Sequence, residues 1–176
     1  MATDDAAVLR RALDQLARLL DDVPRDALKN GTPCDQWSVE DLIDHIVAAP
    51  AKFARMARGE SIDWSSPTPS AGDDPAATFR VHAEDLLDAW RDSDGGGGAI
   101  DLDWLCAELA VHAWDLSTAL GRPTGELDQD VAERGLAFMR ANLTDDNRGP
   151  AFGPERQAPE GGDAYQRAAA FAGRSV

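Results

Sequence analysis

The sequence is poor in basic residues, and this shortage argues against one class of function. Lys and Arg together number 17 against 32 Asp and Glu, which gives a formal net charge of −15. Proteins that bind nucleic acid through its phosphates need clustered Lys and Arg. No such cluster occurs here, so we expect no nucleic-acid partner and attribute the acidity to solubility.

Cysteines and long apolar runs are also scarce. Cys34 and Cys106 form neither a CxxC pair nor a disulfide framework, so nothing indicates secretion. The acidic N-terminus lacks the basic start and apolar core of a signal peptide. No run of about 18 apolar residues occurs, so we expect no membrane span. The sequence predicts a cytoplasmic protein with a single domain over residues 1–176, either a monomer or a homodimer.

The residues that are abundant favour helix. Ala and Leu dominate the apolar fraction, while β-branched and aromatic residues are sparse. Apolar residues recur at helical spacing in six segments, bounded by capping residues, Gly or Pro. We predict six helices, the first of them capped by Thr3. They run over Asp4–Asp22, over Ser38–Arg58, from Asp74-Pro75 to the glycines at 95–98, and over Leu102–Leu120, Asp128–Leu143 and Asp163–Phe171. With no convincing strand alternation, these segments predict an all-α helical bundle.

Three polar side chains on the apolar faces of predicted helices form the candidate site. Glu108 and His112 are four residues apart on the fourth predicted helix, so they project from one face on successive turns. His45 lies on the apolar stripe of the second. Two imidazoles and a carboxylate bind a divalent metal and leave coordination positions open for water or substrate. An inward carboxylate also needs a partner, which a metal would supply.

Each of these residues has a structural interpretation as well. An inward histidine is more often a hydrogen-bonded core residue than a ligand, and a Glu–His pair at this spacing also forms an ordinary side-chain interaction. His82 faces inward on the third predicted helix and competes as a ligand on pattern alone. Asp115, one turn after His112, is a candidate to orient a ligand imidazole or to pair at the surface. Cys34 and Cys106 are interpreted as small hydrophobic residues, and the less favoured alternative for Cys34, which precedes a helix start, is a more readily ionised thiol and a catalytic role.

Three segments carry a resemblance to a known family. They are TPCDQWSVEDLIDH at 32–45, ELAVHAWDL at 108–116 and RAAAFAGR at 167–174. They resemble the TPC-x-x-W-x-V-x-D-L-x-x-H, E-x-x-x-H-x-W-D-L and R-x-x-x-F-x-G-R segments of mycothiol-dependent maleylpyruvate isomerase-like proteins. Those proteins belong to the DinB/YfiT-like superfamily, which is inferred to consist of metalloenzymes.

The resemblance implies a DinB-like four-helix bundle with crossover connections, plus additional C-terminal helices. It implies a divalent metal, zinc or nickel, at the matching positions His45, Glu108 and His112, and so favours these over His82. It also implies a mycothiol-type thiol as cofactor or co-substrate and a small electrophilic substrate. The characterised isomerase carries a further C-terminal domain that contributes to its active site. The 176 residues here do not include that domain, so we expect a substrate other than maleylpyruvate.

The sequence therefore predicts a metal-dependent, thiol-using enzyme, an S-transferase or isomerase acting on a small electrophile. The alternative is a non-catalytic helical module that binds a small ligand or a metal. The residues that bind the thiol are not identified by any pattern. Arg140 and Arg148 are the nearest candidates.

Overall fold

The structure, a computed structural model, describes residues 2–35, 37–93, 100–148 and 152–176. These residues form six α-helices, which are α1 (Ala2–Asp21), α2 (Val39–Ala57), α3 (Pro75–Asp92), α4 (Leu102–Ala119), α5 (Gln129–Asn142) and α6 (Ala164–Phe171). Within the described residues there is no strand, and one isolated bridge pairs Gly31 with Ser38. The predicted all-α class is confirmed. None of the helices in the described ranges has both the length and the apolar character that crossing a bilayer requires.

Side chains at the N-termini explain where several helices begin. Ser38 accepts a hydrogen bond from the backbone N–H of Asp41, and the Asp41 carboxylate accepts one from the N–H of Ser38, which is a complete capping box. Asp74 caps α3 directly before a proline at the first helical position. Asp163 caps α6 in the same manner as Ser38 caps α2. Local sequence therefore sets these boundaries.

The C-terminal boundaries also follow local signals. Gly121 and Gly173 follow α4 and α6 with positive φ angles of 65° and 90°, which glycine adopts without a steric penalty. The predicted start of the first helix differs, because α1 begins at Ala2 and Thr3 therefore lies inside it. The glycines at 95–98, predicted to end the third helix, lie outside the described residues.

The first four helices form a bundle in which sequence neighbours are not always spatial neighbours. Helices α3 and α4 each pack against both α1 and α2, so α1 stands diagonally opposite α2, and α3 opposite α4. The α1–α2 and α3–α4 connections therefore cross the bundle, while α2 and α3 are adjacent. Helix α5 packs on α4 and α1, and α6 packs on α5 and α4. This arrangement is consistent with a DinB-like bundle extended by C-terminal helices, and it places α2 beside α4.

The core is mostly aliphatic, and a hydrogen-bonded polar group within it joins α1, α5 and α6. The Tyr165 hydroxyl donates to the carbonyl of Asp128 at 3.1 Å and accepts from the Gln15 amide. The same Gln15 accepts from the backbone N–H of Asp128 at 3.0 Å. Because the Tyr165 hydroxyl and the Gln15 amide both have partners, this link fixes α6 to α1 and α5 without leaving either group unsatisfied. The fully buried side chains of the core include Leu9, Leu13, Leu16, Leu42, Phe79, Leu86 and Leu105.

Candidate metal centre

Three donor side chains meet between α2 and α4. His45 Nε2 lies 2.9 Å from Glu108 Oε1, and His112 Nε2 lies 3.4 Å from the same oxygen. One ligand atom from each residue lies within 4.8 Å of the other two. The two imidazole rings stand edge to face with centroids 4.7 Å apart. We call His45, Glu108 and His112 the donor cluster.

The helices position this cluster by simple geometry. Helix α4 presents Glu108 and His112 from successive turns, as their four-residue spacing requires. Helix α2 presents His45 from the adjacent side of the bundle. The side chains of His45 and Glu108 are 23% and 22% exposed and that of His112 is 12% exposed. All three are therefore sheltered by the bundle yet remain accessible to a small ligand.

The charges in the cluster depend on one another. Burial alone would raise the pKa of Glu108, but the charge and hydrogen bonds of His112 and His45 outweigh it and hold that pKa well below its usual range. Burial alone would lower the pKa of His112, but the charge of Glu108 and the hydrogen bond to Asp115 raise it well above its usual value. Glu108 therefore favours its carboxylate form, and His112 favours the form with an extra ring proton. A divalent cation would replace that proton, because a ligand histidine must be neutral.

Behind the cluster, Asp115 is fully buried on α4 and connects three partners. Its Oδ2 lies 3.1 Å from His112 Nδ1 and accepts from the Cys34 thiol at 3.0 Å. Arg174 donates from Nε to Oδ1 at 3.0 Å and from Nη2 to Oδ2 at 3.1 Å. Burial alone would raise the pKa of Asp115, but His112 and Arg174 lower it. Asp115 is therefore a carboxylate that fixes the His112 ring with Nε2 facing Glu108.

Cys34 and Arg174 were not identified as site residues by sequence reasoning. Cys34 Sγ lies 3.3 Å from Arg174 Nη2 as well as next to Asp115, so the favoured interpretation of Cys34 as a small hydrophobic residue was incomplete. Cys34, His112 and Asp115 form a second group with metal-ligating atoms within 4.8 Å of one another. Arg174 already neutralises Asp115 in that group, which leaves the donor cluster as the better cation site. Both residues lie in the segments that carry the family resemblance, and this is the signal that could have identified them.

The third histidine and the second cysteine lie apart from the cluster. His82 Nδ1 is 2.7 Å from the carbonyl oxygen of Val47, a hydrogen bond between α3 and α2. Cys106 is buried in the core, where burial raises the pKa of its thiol to about 12. Neither residue belongs to a metal-ligating group in the described part of the chain.

The two arginines considered as thiol-binding residues also lie elsewhere. Arg148 is buried and donates to the carbonyls of Gly153 and Phe171 at 3.0 and 2.7 Å. Its guanidinium lies over the Phe171 ring, and Arg140 lies near the same ring at 6.0 Å. Neither arginine lines the cavity beside the donor cluster. Arg148 instead anchors the segment from which Gly153 contributes to the cavity wall.

A cavity of about 530 Å³ opens onto the donor cluster. Its volume falls within the range of about 300–1,000 Å³ that is typical of small-molecule sites. Polar residues line one part of it, namely Cys34, Asp35, His45, Glu108, His112 and Arg174. Apolar residues also line it, including Trp37, Phe53, Trp64, Trp104, Val111 and Phe152. A groove of about 590 Å³ on α1 and the α4–α5 connection is larger, but it shares no residue with this site and is lined mainly by charged side chains of both signs.

Comparison with known proteins relates this site to a family. The mycothiol maleylpyruvate isomerase N-terminal domain matches residues 9–117, a segment that contains the donor cluster, Cys34 and Asp115. Two uncharacterized proteins of Mycobacterium tuberculosis, from strains CDC 1551/Oshkosh and ATCC 25618/H37Rv, are each 31% identical over an alignment of 175 positions that covers 95% of the chain and 96% of their own length. No solved structure shows significant similarity to the chain. The similarity to these relatives extends beyond the family segment, over most of the chain.

Proposed function

The chain belongs to the family of the mycothiol maleylpyruvate isomerase N-terminal domain, and on this premise we propose that it is a metal-dependent enzyme using a mycothiol-type thiol. The reaction is the transfer of the thiol sulfur to a small electrophile, or an isomerisation assisted by the thiol. The observation that carries the proposal is the convergence of His45, Glu108 and His112 at the wall of a cavity of small-molecule size.

In this proposal the donor cluster holds the metal. Zinc and nickel are the candidates, because two imidazoles and one carboxylate suit such borderline ions and leave room for an exogenous ligand. When bound, a metal of this kind lowers the pKa of a coordinated thiol or water towards neutrality. The donor cluster fits this role because the Glu108 carboxylate is partly buried and favours its ionised form. In the contacts described above, the groups beside that carboxylate are the imidazoles of His45 and His112.

The surrounding residues keep the donors in place. Asp115 holds the Nδ1–H of His112 and leaves Nε2 for the cluster, and Arg174 holds Asp115 through two hydrogen bonds. The Trp37 ring lies 4.9 Å from the His45 ring and 6.3 Å from the His112 ring. This indole covers the imidazoles and limits the access of water to them.

The remaining parts of the proposal concern the whole chain. One continuous apolar cluster includes buried residues from all six helices, which supports a single domain over residues 1–176. We further propose that it acts in the cytoplasm, as a monomer or homodimer, without a nucleic-acid partner, in line with its acidic composition.

The test measures consumption of mycothiol with an alkylating acceptor by protein loaded with zinc or nickel. We expect wild-type protein to exceed the uncatalysed rate and Glu108→Gln to lose more than about 100-fold, since removal of even the outer partners of metal ligands costs about 10–100-fold. His82→Gln is the matched control and keeps the wild-type rate. Equal rates for Glu108→Gln and wild type contradict the proposal. Metal binding without thiol consumption favours the alternative, a non-catalytic binding module.

A further inference from the structure

The cavity has an aromatic end beside the donor cluster. Trp104 precedes Glu108 by four residues on α4, which is slightly more than one turn, or about 6 Å along the axis. Phe53 follows His45 by eight residues on α2. The Phe53 and Trp104 rings meet edge to face with centroids 5.4 Å apart. The same two helices that carry the metal-ligating residues therefore bring a pair of aromatic rings to one side of them.

Trp64 adds a third ring from the connection between α2 and α3. Its centroid lies 6.0 Å from that of Phe53, and the Lys52 ammonium lies 5.5 Å from the Trp64 ring centroid. Trp64 nevertheless remains 51% exposed and is one of three exposed large hydrophobic residues in the described part of the chain. A ligand that covers this ring would remove apolar surface from water and gain aromatic contacts. The ring is thus positioned at the cavity without being fully covered by the protein itself.

We propose that Trp64 and Trp104, with the buried Phe53 ring packed against both, form the subsite for the electrophilic substrate, and that this substrate is a planar aromatic electrophile. The inference rests on the proposed function for the position of the thiol, which the donor cluster would hold about one helical turn away. In the transfer, the thiol sulfur forms a bond to the electrophilic carbon, and the leaving group departs with the electron pair of the bond that breaks. The thiol proton passes to water.

The sugar portion of a mycothiol-type thiol is the other ligand that stacks on tryptophan. Sugar hydroxyls need several hydrogen-bonding partners when they are buried. Among the described residues that line the cavity there is no Ser, Thr, Asn, Gln or Tyr, and the carboxylates are those of Asp35 and Glu108. The aromatic end therefore suits an apolar ring better than a sugar.

The first experiment measures binding in the absence of metal and thiol. Metal-free protein is titrated with the unreactive aromatic compound 4-nitrobenzamide, and with cyclohexanecarboxamide as its saturated analogue, by isothermal titration calorimetry. We expect Trp64→Ala to weaken 4-nitrobenzamide binding about tenfold and Trp64→Phe to restore most of it, because the aromatic face supplies the contact. Val81→Ala, which alters an exposed apolar residue of α3, serves as the control and leaves the affinity unchanged. Equal affinities for Trp64→Ala and wild type, or for the two amides, overturn the inference.

The second experiment uses the metal-loaded protein with mycothiol and compares an aromatic acceptor, 1-chloro-2,4-dinitrobenzene, with iodoacetamide. We expect the ratio of kcat/KM for the aromatic acceptor to that for iodoacetamide to fall about tenfold in Trp64→Ala. If Trp64→Ala raises the KM for mycothiol instead, the ring serves the sugar and the inference is wrong. If wild-type protein binds 4-nitrobenzamide but turns over neither acceptor, the subsite stands and the proposed thiol-transfer function fails.

Discussion

Replacing Asp115 with Asn tests whether the buried network behind the donor cluster is assembled as described. The Asp115 side chain is 0% exposed and that of Arg174 is 11% exposed, and two charge-assisted hydrogen bonds join them. Asn keeps the shape and one acceptor oxygen, but its amide N–H groups face donors, and the buried guanidinium loses its carboxylate. Breaking a buried pair in this way costs about 3–5 kcal/mol. Because one acceptor remains, we expect a loss near the lower limit, about 3 kcal/mol.

Urea unfolding followed by the fluorescence of the five tryptophans measures this loss. With an m-value of about 2 kcal/mol/M, the unfolding midpoint of Asp115→Asn should fall by about 1.5 M urea. The matched control is Glu84→Gln, which breaks the exposed pair with Arg10, whose side chains are 59% and 39% exposed. Exposed pairs contribute about 0–1 kcal/mol, so the control midpoint should fall by less than about 0.5 M.

A double variant separates a broken pair from general disruption. In Asp115→Asn/Arg174→Gln no buried guanidinium is left without its carboxylate, so the combined loss should be smaller than the sum of the two single losses. The reasoning is refuted if Asp115→Asn and Glu84→Gln have equal midpoints. It is also refuted if the losses of the double variant are simply additive.

Three other predictions concern packing, thiol reactivity and pH. A Cβ at Gly135 of α5 would lie 2.6 Å from the Cα of Ala107 on α4, so Gly135→Ala should lower the free energy of unfolding by about 1–3 kcal/mol, as thermal unfolding can measure. A Cβ at Gly125 would have nothing within 4 Å, so Gly125→Ala should lower it little. Similar losses for the two variants would contradict the close packing. Because burial raises the pKa of Cys106 to about 12, a thiol reagent at pH 8 should label the half-buried Cys34 and leave Cys106 unlabelled until the protein unfolds, as mass spectrometry of labelled peptides can show. The partners of Asp115 lower its pKa in the folded state, so the stability that the ionised carboxylate contributes is present above the pKa of the unfolded state, about 3.9, and is lost as pH falls below that value. The unfolding midpoints of wild type and Asp115→Asn should therefore converge in acid. A difference between the midpoints that stays constant with pH would contradict this prediction.

The helices were predictable because short-range signals specify them. Two helix starts are specified by residues within four positions of one another, namely the capping box of Ser38 and Asp41 and the cap of Asp74 before a proline. The structure places helix starts at both. The start of α1 was less well defined by sequence. Thr3 is a suitable cap by residue type, but the helix continues past it to Ala2.

The candidate site was predictable only in part, for a physical reason. The spacing of Glu108 and His112 is local, so their shared face could be read directly from the sequence. Patterns left the third metal-ligating residue open between His45 and His82, and the family resemblance favoured His45. The structure brings His45 into the donor cluster and gives His82 a backbone carbonyl as its partner. Binding of a metal by the cluster stays a prediction.

The parts that sequence reasoning missed depend on contacts between distant segments. Arg174 lies 59 residues from Asp115 and 140 from Cys34 along the chain, and no periodic pattern relates them. Their meeting depends on α6 packing against α4 and on the close approach of Gly173 to Gly153, where an added Cβ on Gly173 would lie 2.5 Å from the Gly153 Cα. Such contacts become visible only when the fold is known.

The most direct measurement on the donor cluster is the metal content of protein purified without an affinity tag and analysed by inductively coupled plasma mass spectrometry. We expect about one zinc or nickel ion per chain in the wild type and in His82→Gln, and less than about a tenth of that in His45→Ala, because two remaining ligands do not complete the three-ligand set of an open metal site. Circular dichroism checks that each variant is folded. A full complement of metal in His45→Ala, or none in wild-type protein after reconstitution with either ion, contradicts the account.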